Sequence, residues 1–151
     1  MRLGDFIRPD LTWVIQGSPS RDVLLKDLAE RVAAAIDIDS AEVYDALLAR
    51  EGKGSTGTPE GVALPHAMMP RLERNVVAVA MAPAGVDFAG KTGTRCDLVF
   101  VLVGPPGWEH VRLLARVARI CHGHGALARL RQAATSEELY KRLVTEDQSH
   151  G

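Results

Sequence analysis

Charge of one sign is the first thing this sequence lacks. Its 18 Lys and Arg residues stand against 19 Asp and Glu, a formal net charge of -1. Composition therefore offers no electrostatic footprint for nucleic acid as a partner. Cysteine is scarce as well. Cys96 and Cys121 are too few for a disulfide framework, and a reducing cytoplasm is the expected compartment. No apolar run reaches the length of a membrane span, so stable membrane insertion is not expected. The start, MRLGDFIRPD, lacks the layout of a signal peptide. Internal repeats, low-complexity tracts and linkers are also missing.

What is present suits one globular domain. The chain has 151 residues, 46% hydrophobic and 25% charged, enough for a sizeable core. Residues 11–15 read as a first strand. Ser18 or Ser20 caps a helix over 21–36, where Leu24, Leu28 and Val32 fall four apart with Leu25 and Ile36 alongside. Asp39 followed by Glu42 opens a second helix that should end near Arg50, with Gly52 and Gly54 as possible stops. Residues 62–64 read as extended. NVVAVAM at 75–81 and DLVFVLV at 97–103 are apolar on successive residues, as strands covered on both faces are. After Gly104-Pro105-Pro106-Gly107 a helix is expected over 108–122, then a shorter one over 126–133. Thr135 with Glu138 starts a last helix through Leu143. Together these predict a single α/β domain, residues 1–145, with helices on both faces of a sheet. Residues 146–151 read as a frayed tail.

Three motifs invite chemistry and fail on context. Gly85 to Thr92 matches the P-loop pattern letter for letter, but no helical period follows the Lys91-Thr92 pair; Gly93 and a strand do. Cys121-His122-Gly123-His124 offers metal-ligating types, yet no second cluster pairs with it, and Gly123 and Gly125 read as helix-end punctuation. Lys53 stands where a G-x-S-x-G nucleophile elbow around Ser55 needs glycine.

A stronger concentration lies in GSTGTPEGVALPH, residues 54–66. Pro65 restricts Leu64 to extended geometry and gives His66 a stiff base. Gly54, Gly57 and Gly61 permit close approach of backbone to a ligand. Ser55 and Thr56 add hydroxyls, so the loop can be read as an anion cradle beside an imidazole, or as an ordinary loop around a histidine held by one hydrogen bond. His110 falls in the first turn of the 108–122 helix. A helical wheel there puts Val111, Leu114, Val117, Ala118 and Cys121 on one apolar arc that includes His110, with Arg112, Arg116 and Arg119 opposite. His110 then serves either as a core histidine or as a second imidazole facing a phosphate site. Arg50 is either a helix-end cation or a guanidinium fork for phosphoryl oxygens.

ALLAREGKGSTGTPEGVALPHA resembles the signature of the enzyme IIA domains of the fructose–mannitol class of the bacterial phosphotransferase system. The pattern runs L-x-x-R-E, then G-S-T-G, then G-x-A-I/L-P-H, and EHVRLLARVARIC resembles that family's second histidine helix. The resemblance covers nearly the whole chain. It implies a three-layer sandwich with a mixed, mostly parallel sheet. It implies a phosphoryl relay in which His66 is the nucleophile, Arg50 and His110 stabilise the phosphoryl group, and Gly54, Ser55, Thr56 and Gly57 line the phosphate loop. No metal or cofactor belongs to that pattern. The implied partners are an HPr-type phosphocarrier upstream and a transporter IIB subunit or a regulatory target downstream. A freestanding domain is more like the nitrogen-regulatory branch than a sugar-specific component; a binding module that keeps the fold without phosphoryl transfer is the reading from another class. Three departures stand out. Ala67 follows the histidine where glycine is usual, which would strain a left-handed backbone. Met68-Met69 is apolar enough for core or for docking, and Pro59-Glu60 puts a carboxylate near an anion site.

Overall fold

The computed structural model describes residues 1–89, 93, 95–123 and 125–150. A short 3-10 helix, Leu3–Asp5, precedes β1, Ile7–Val14. α1 spans Arg21–Ile36 because Ser20 accepts from the Val23 amide at one end and Asp37 turns left-handed at the other. α2 spans Ser40–Glu51, capped by Asp39 on the Ala41 amide. Next come β2, Val62–Ala63, β3, His66–Met68, β4, Val76–Asp87, and β5, Arg95–Gly104. The helices α3, Trp108–Cys121, α4, Ala126–Arg131, and α5, Ser136–Ser149, complete the domain.

The sheet order is β1-β4-β5-β2, with β3 also on β5. β1 runs parallel to β4, and both β2 and β3 run parallel to β5, while β4 and β5 are antiparallel. The sheet is thus mixed and mostly parallel, as expected. Side chains alternate across it. Ala78, Ala80, Ala82, Val99, Val101 and Val103 pack under α1 and α2 with Leu24, Leu28, Val43 and Leu47. Val77, Val79, Met81, Leu98, Phe100 and Leu102 pack on the other face against Leu113, Val117, Leu139 and Leu143 of α3 and α5. Two apolar layers on a doubly covered sheet explain the uninterrupted apolar runs of β4 and β5.

Three expectations need correction. β4 does not stop at Met81; it continues through Pro83 to Asp87, because a register shift between Met81 and Val86 accommodates the proline at a bulge. Gly85 to Asp87 of the P-loop match are therefore strand, with Val86 and Asp87 paired to Cys96 and Arg95 of β5, while Gly90, Lys91 and Thr92 lie outside the described residues. The tail is not frayed. α5 runs to Ser149, and Glu146 and Asp147 are buried. Asp147 accepts from the Leu3 amide at 3.0 Å, the Gly4 amide at 3.0 Å and Arg116 Nε at 2.9 Å. That same ion pair corrects the α3 wheel. The buried set is His110, Leu113, Arg116, Val117, Ile120 and Cys121, with Val111 exposed. Arg116 turns inward because Asp147 waits there, an attraction invisible to a hydropathy wheel.

Candidate functional site

β2 and β3 form one extended segment on the edge of β5, broken at Leu64-Pro65. Pro65 has no N–H to offer, and its carbonyl accepts from Leu102 N at 3.0 Å. Immediately after it, His66 sits opposite Leu102 in the register. Ala67 lies in the layer under α1 and α2. Strand alternation therefore turns its neighbours His66 and Met68 to the opposite face, the side that carries α3. Ala67 itself is ordinary strand without positive φ, so the strain expected at that position does not arise.

From α3 comes His110, fully buried, its ring centroid 6.2 Å from that of His66 with the planes tilted by 52°. His66 Nδ1 lies 2.7 Å from the Leu64 carbonyl. A carbonyl can only accept, so Nδ1 carries the proton and Nε2 keeps a free lone pair. His110 Nδ1 lies 3.0 Å from Asn75 Oδ1, and its Nε2 is buried without a hydrogen-bond partner. Burial, and then the neighbouring His66, hold His110 below the ordinary imidazole value. The stability consequence has a definite sign. Below about pH 6.5 the unfolded imidazole binds a proton that the folded one resists. Stability is therefore full above that pH and declines as pH falls below it. His110→Gln is expected to flatten this part of the acid limb of a thermal-denaturation profile relative to wild type.

The glycine loop is braced from within. Arg50, in the last turn of α2, donates Nη1 to the Gly54 carbonyl at 3.0 Å, and Gly54 adopts φ 151°. Thr56 gives its hydroxyl to the buried carboxylate of Glu51, and its amide reaches Glu51 Oε2 at 3.2 Å. Ser55 donates to the Phe88 carbonyl at 2.7 Å and accepts from the Gly57 amide at 3.1 Å. Both hydroxyl protons are thus engaged within the protein, one on the Glu51 carboxylate and one on the Phe88 carbonyl, and neither is free for a bound anion. A Cβ on Gly57 would lie 3.1 Å from Phe88 Cβ and 3.3 Å from Cys96 Sγ, so this glycine allows the loop to press onto the β4–β5 hairpin. The Thr56 carbonyl then accepts from Leu64 N at 3.3 Å, tying the loop to the segment that holds His66. Thr56→Val keeps the shape but removes the hydroxyl from a buried carboxylate. It is expected to cost about 1–3 kcal/mol, read in chemical denaturation.

Of the residues singled out in the sequence, His66 and His110 come together as a pair. Arg50 joins them through the loop rather than by a direct hydrogen bond. Cys121 faces the core with its thiol pushed up to about 12 by burial, His122 is exposed, and His124 lies outside the described residues. Sequence reasoning missed Glu51, Asn75 and Glu109. Glu51 stands five residues before Thr56, a spacing with no rule attached. Asn75 stands 35 residues before His110, and only the fold joins them. The Met pair divides. Met69 packs on the core, while Met68, two residues after His66, is 54% exposed; on α3, Trp108 and Val111, which flank His110 in the chain, are exposed at 79% and 46%.

The family model for the phosphoenolpyruvate-dependent sugar phosphotransferase system, EIIA 2, matches residues 5–145. A nitrogen regulatory protein from Pseudomonas aeruginosa is 33% identical over 147 residues, covering 95% of this chain and 96% of the relative. The crystal structure of nitrogen regulatory protein IIA-Ntr from Neisseria meningitidis superposes with a TM-score of 0.84 at 24% identity, over 93% of this chain and 98% of that one. The complex of enzyme IIAMTL and phosphorylated enzyme IIBMTL from Escherichia coli shares the fold at a TM-score of 0.77 and 16% identity, over 93% and 99% of the two chains. Among the described residues, no helix is long and apolar enough to cross a membrane.

Proposed function

The chain belongs to the EIIA 2 family of the phosphoenolpyruvate-dependent sugar phosphotransferase system, and we propose that it is a phosphocarrier whose His66 takes a phosphoryl group from an HPr-type histidine carrier and passes it on. One observation carries the proposal. His66 is half-buried at the sheet edge with Nδ1–H tied to Leu64 and Nε2 bare, beside a buried second imidazole. A neutral imidazole is a competent nucleophile near pH 7. Its Nε2 lone pair attacks phosphorus in line, and the donor's P–N bond breaks with its electron pair returning to the donor nitrogen. Little covalent machinery is needed; positioning and charge dominate. Arg50 and His110 supply the positive charge. Ser55, Thr56, Gly54 and Gly57 hold the loop in shape beside the histidine segment.

Exposed apolar side chains close in the chain to the two histidines, Met68 after His66 and Trp108 and Val111 beside His110, suit the docking of a protein donor. The near full-length match to a nitrogen regulatory protein favours a regulatory role over a sugar-specific one. A downstream IIB subunit is the partner for the sugar-specific alternative. Incubation with phosphoenolpyruvate, enzyme I and an HPr-type carrier tests the reading, with an acid-labile mass gain as the expected result. No gain with several carriers would favour a binding module that keeps the fold without the transfer.

A further inference from the structure

His110 is held by a device the relay alone does not explain. Asn75, buried at the mouth of β4, donates Nδ2 to the Glu109 carboxylate at 2.8 Å. A carboxylate only accepts, so the amide cannot flip, and Oδ1 must face His110. That oxygen accepts a hydrogen bond from His110 Nδ1–H at 3.0 Å. Gly104 provides the space: a Cβ there would stand 2.0 Å from Asn75 Oδ1 and 2.5 Å from its Cγ. Glu109, Asn75 and Gly104 thus select one tautomer, and His110 Nε2 is left bare, buried and unpartnered.

A bare Nε2 cannot help a phosphoryl group, because all three terminal oxygens are acceptors. We propose that Asn75 is a positioning residue for the relay proposed above: it locks His110 as the Nδ1–H tautomer, so that a phosphoryl group on His66 is stabilised only when His110 Nε2 takes up a proton. In that step the His66 Nε2 lone pair forms the new P–N bond and the donor's P–N bond breaks toward the donor nitrogen. One solvent proton goes to His110 Nε2, which then donates to a phosphoryl oxygen. The incoming negative charge supplies the driving force, while burial keeps the resting ring neutral. The groups facing His110 are His66 from β3 and, through the Asn75 amide, Glu109. Among the charged residues of the other elements packed on α3, Asp5 makes no hydrogen bond or ion pair with it, and Arg131 is paired with Asp97.

The test has two arms. The first reads the imidazole nitrogens of His110 by NMR in the unphosphorylated protein. Wild type should show a protonated Nδ1 and a bare Nε2. Asn75→Leu should lose that single tautomer. The swap of Asn75→Asp with Glu109→Gln, which keeps an acceptor on Nδ1–H, should restore it. The second arm repeats the measurement on protein phosphorylated with phosphoenolpyruvate, enzyme I and HPr-type carrier. There His110 should carry protons on both nitrogens and titrate at higher pH than in the free chain. Relative to His110→Gln, the ratio of phosphorylated to free protein should fall by as much as about tenfold per pH unit on the alkaline side, the slope of one linked proton. A protonated Nε2 in the free protein, a tautomer indifferent to Asn75→Leu, or a bare Nε2 in the phosphorylated protein overturns the proposal. A chain that gains no mass overturns the relay and with it the proton uptake, while the first arm still decides the role of Asn75.

Discussion

His66→Ala is expected to take up no phosphoryl group at all, while unfolding at nearly the wild-type temperature. The two halves of this result belong together. His66 is half-buried at the edge of the sheet, and its ring donates from Nδ1 to the Leu64 carbonyl. Its removal opens no core cavity, so stability should change by about a kcal/mol or less. Its Nε2 is the nucleophile of the proposed relay, and loss of the nucleophile is loss of the reaction. His110 gives the contrast. A charge-stabilising group lost from a phosphoryl site slows transfer by about two to three orders of magnitude without changing where the phosphoryl group lands. Intact-mass measurements over time, in the presence of phosphoenolpyruvate, enzyme I and carrier, separate absence from slowness. A residual rate in His66→Ala comparable to that of His110→Gln would mean that another residue accepts the group.

The largest effect on stability is expected far from the histidines. Asp147→Ala should cost about 3–5 kcal/mol, because it leaves the buried Arg116 guanidinium uncompensated and strands the amides of Leu3 and Gly4. For a domain of this size each kcal/mol lowers the unfolding midpoint by about 2–4 °C, so the fall should be roughly 6–20 °C. Calorimetry reads it directly. A chain ending at Thr145 should suffer at least as much, since Arg116 also donates to the Asp147 and His150 carbonyls. A midpoint within a degree or two of wild type would mean that the last turn of α5 is peripheral after all.

That last turn also marks the limit of reading a fold from its sequence. α1 was legible over its whole length, because a serine cap and a four-residue apolar spacing are both local. The strands β4 and β5 were legible because burial on both faces leaves an uninterrupted apolar record. TEDQSH carries no such record. Its carboxylates look solvated until the chain folds and brings Arg116 and Arg129 to them from residues 31 and 17 positions away. The arc of α3 was misdrawn for the same reason. The site divides along the same line. His66, on its proline-stiffened base within a glycine-rich stretch, stands out in the sequence, and His110 stands out as the histidine of an amphipathic helix. Asn75 and Glu51 do not, since their importance lies wholly in which donor or acceptor they meet.

The central claim is that His66 Nε2 carries the phosphoryl group, and phosphorus–nitrogen coupling in NMR of the isotope-labelled, phosphorylated protein addresses it most directly. The expected spectrum shows one phosphoramidate, its phosphorus coupled to Nε2 of His66 and to no other nitrogen. Phosphorus on His110, on Nδ1 of His66 or on any other side chain would contradict the account.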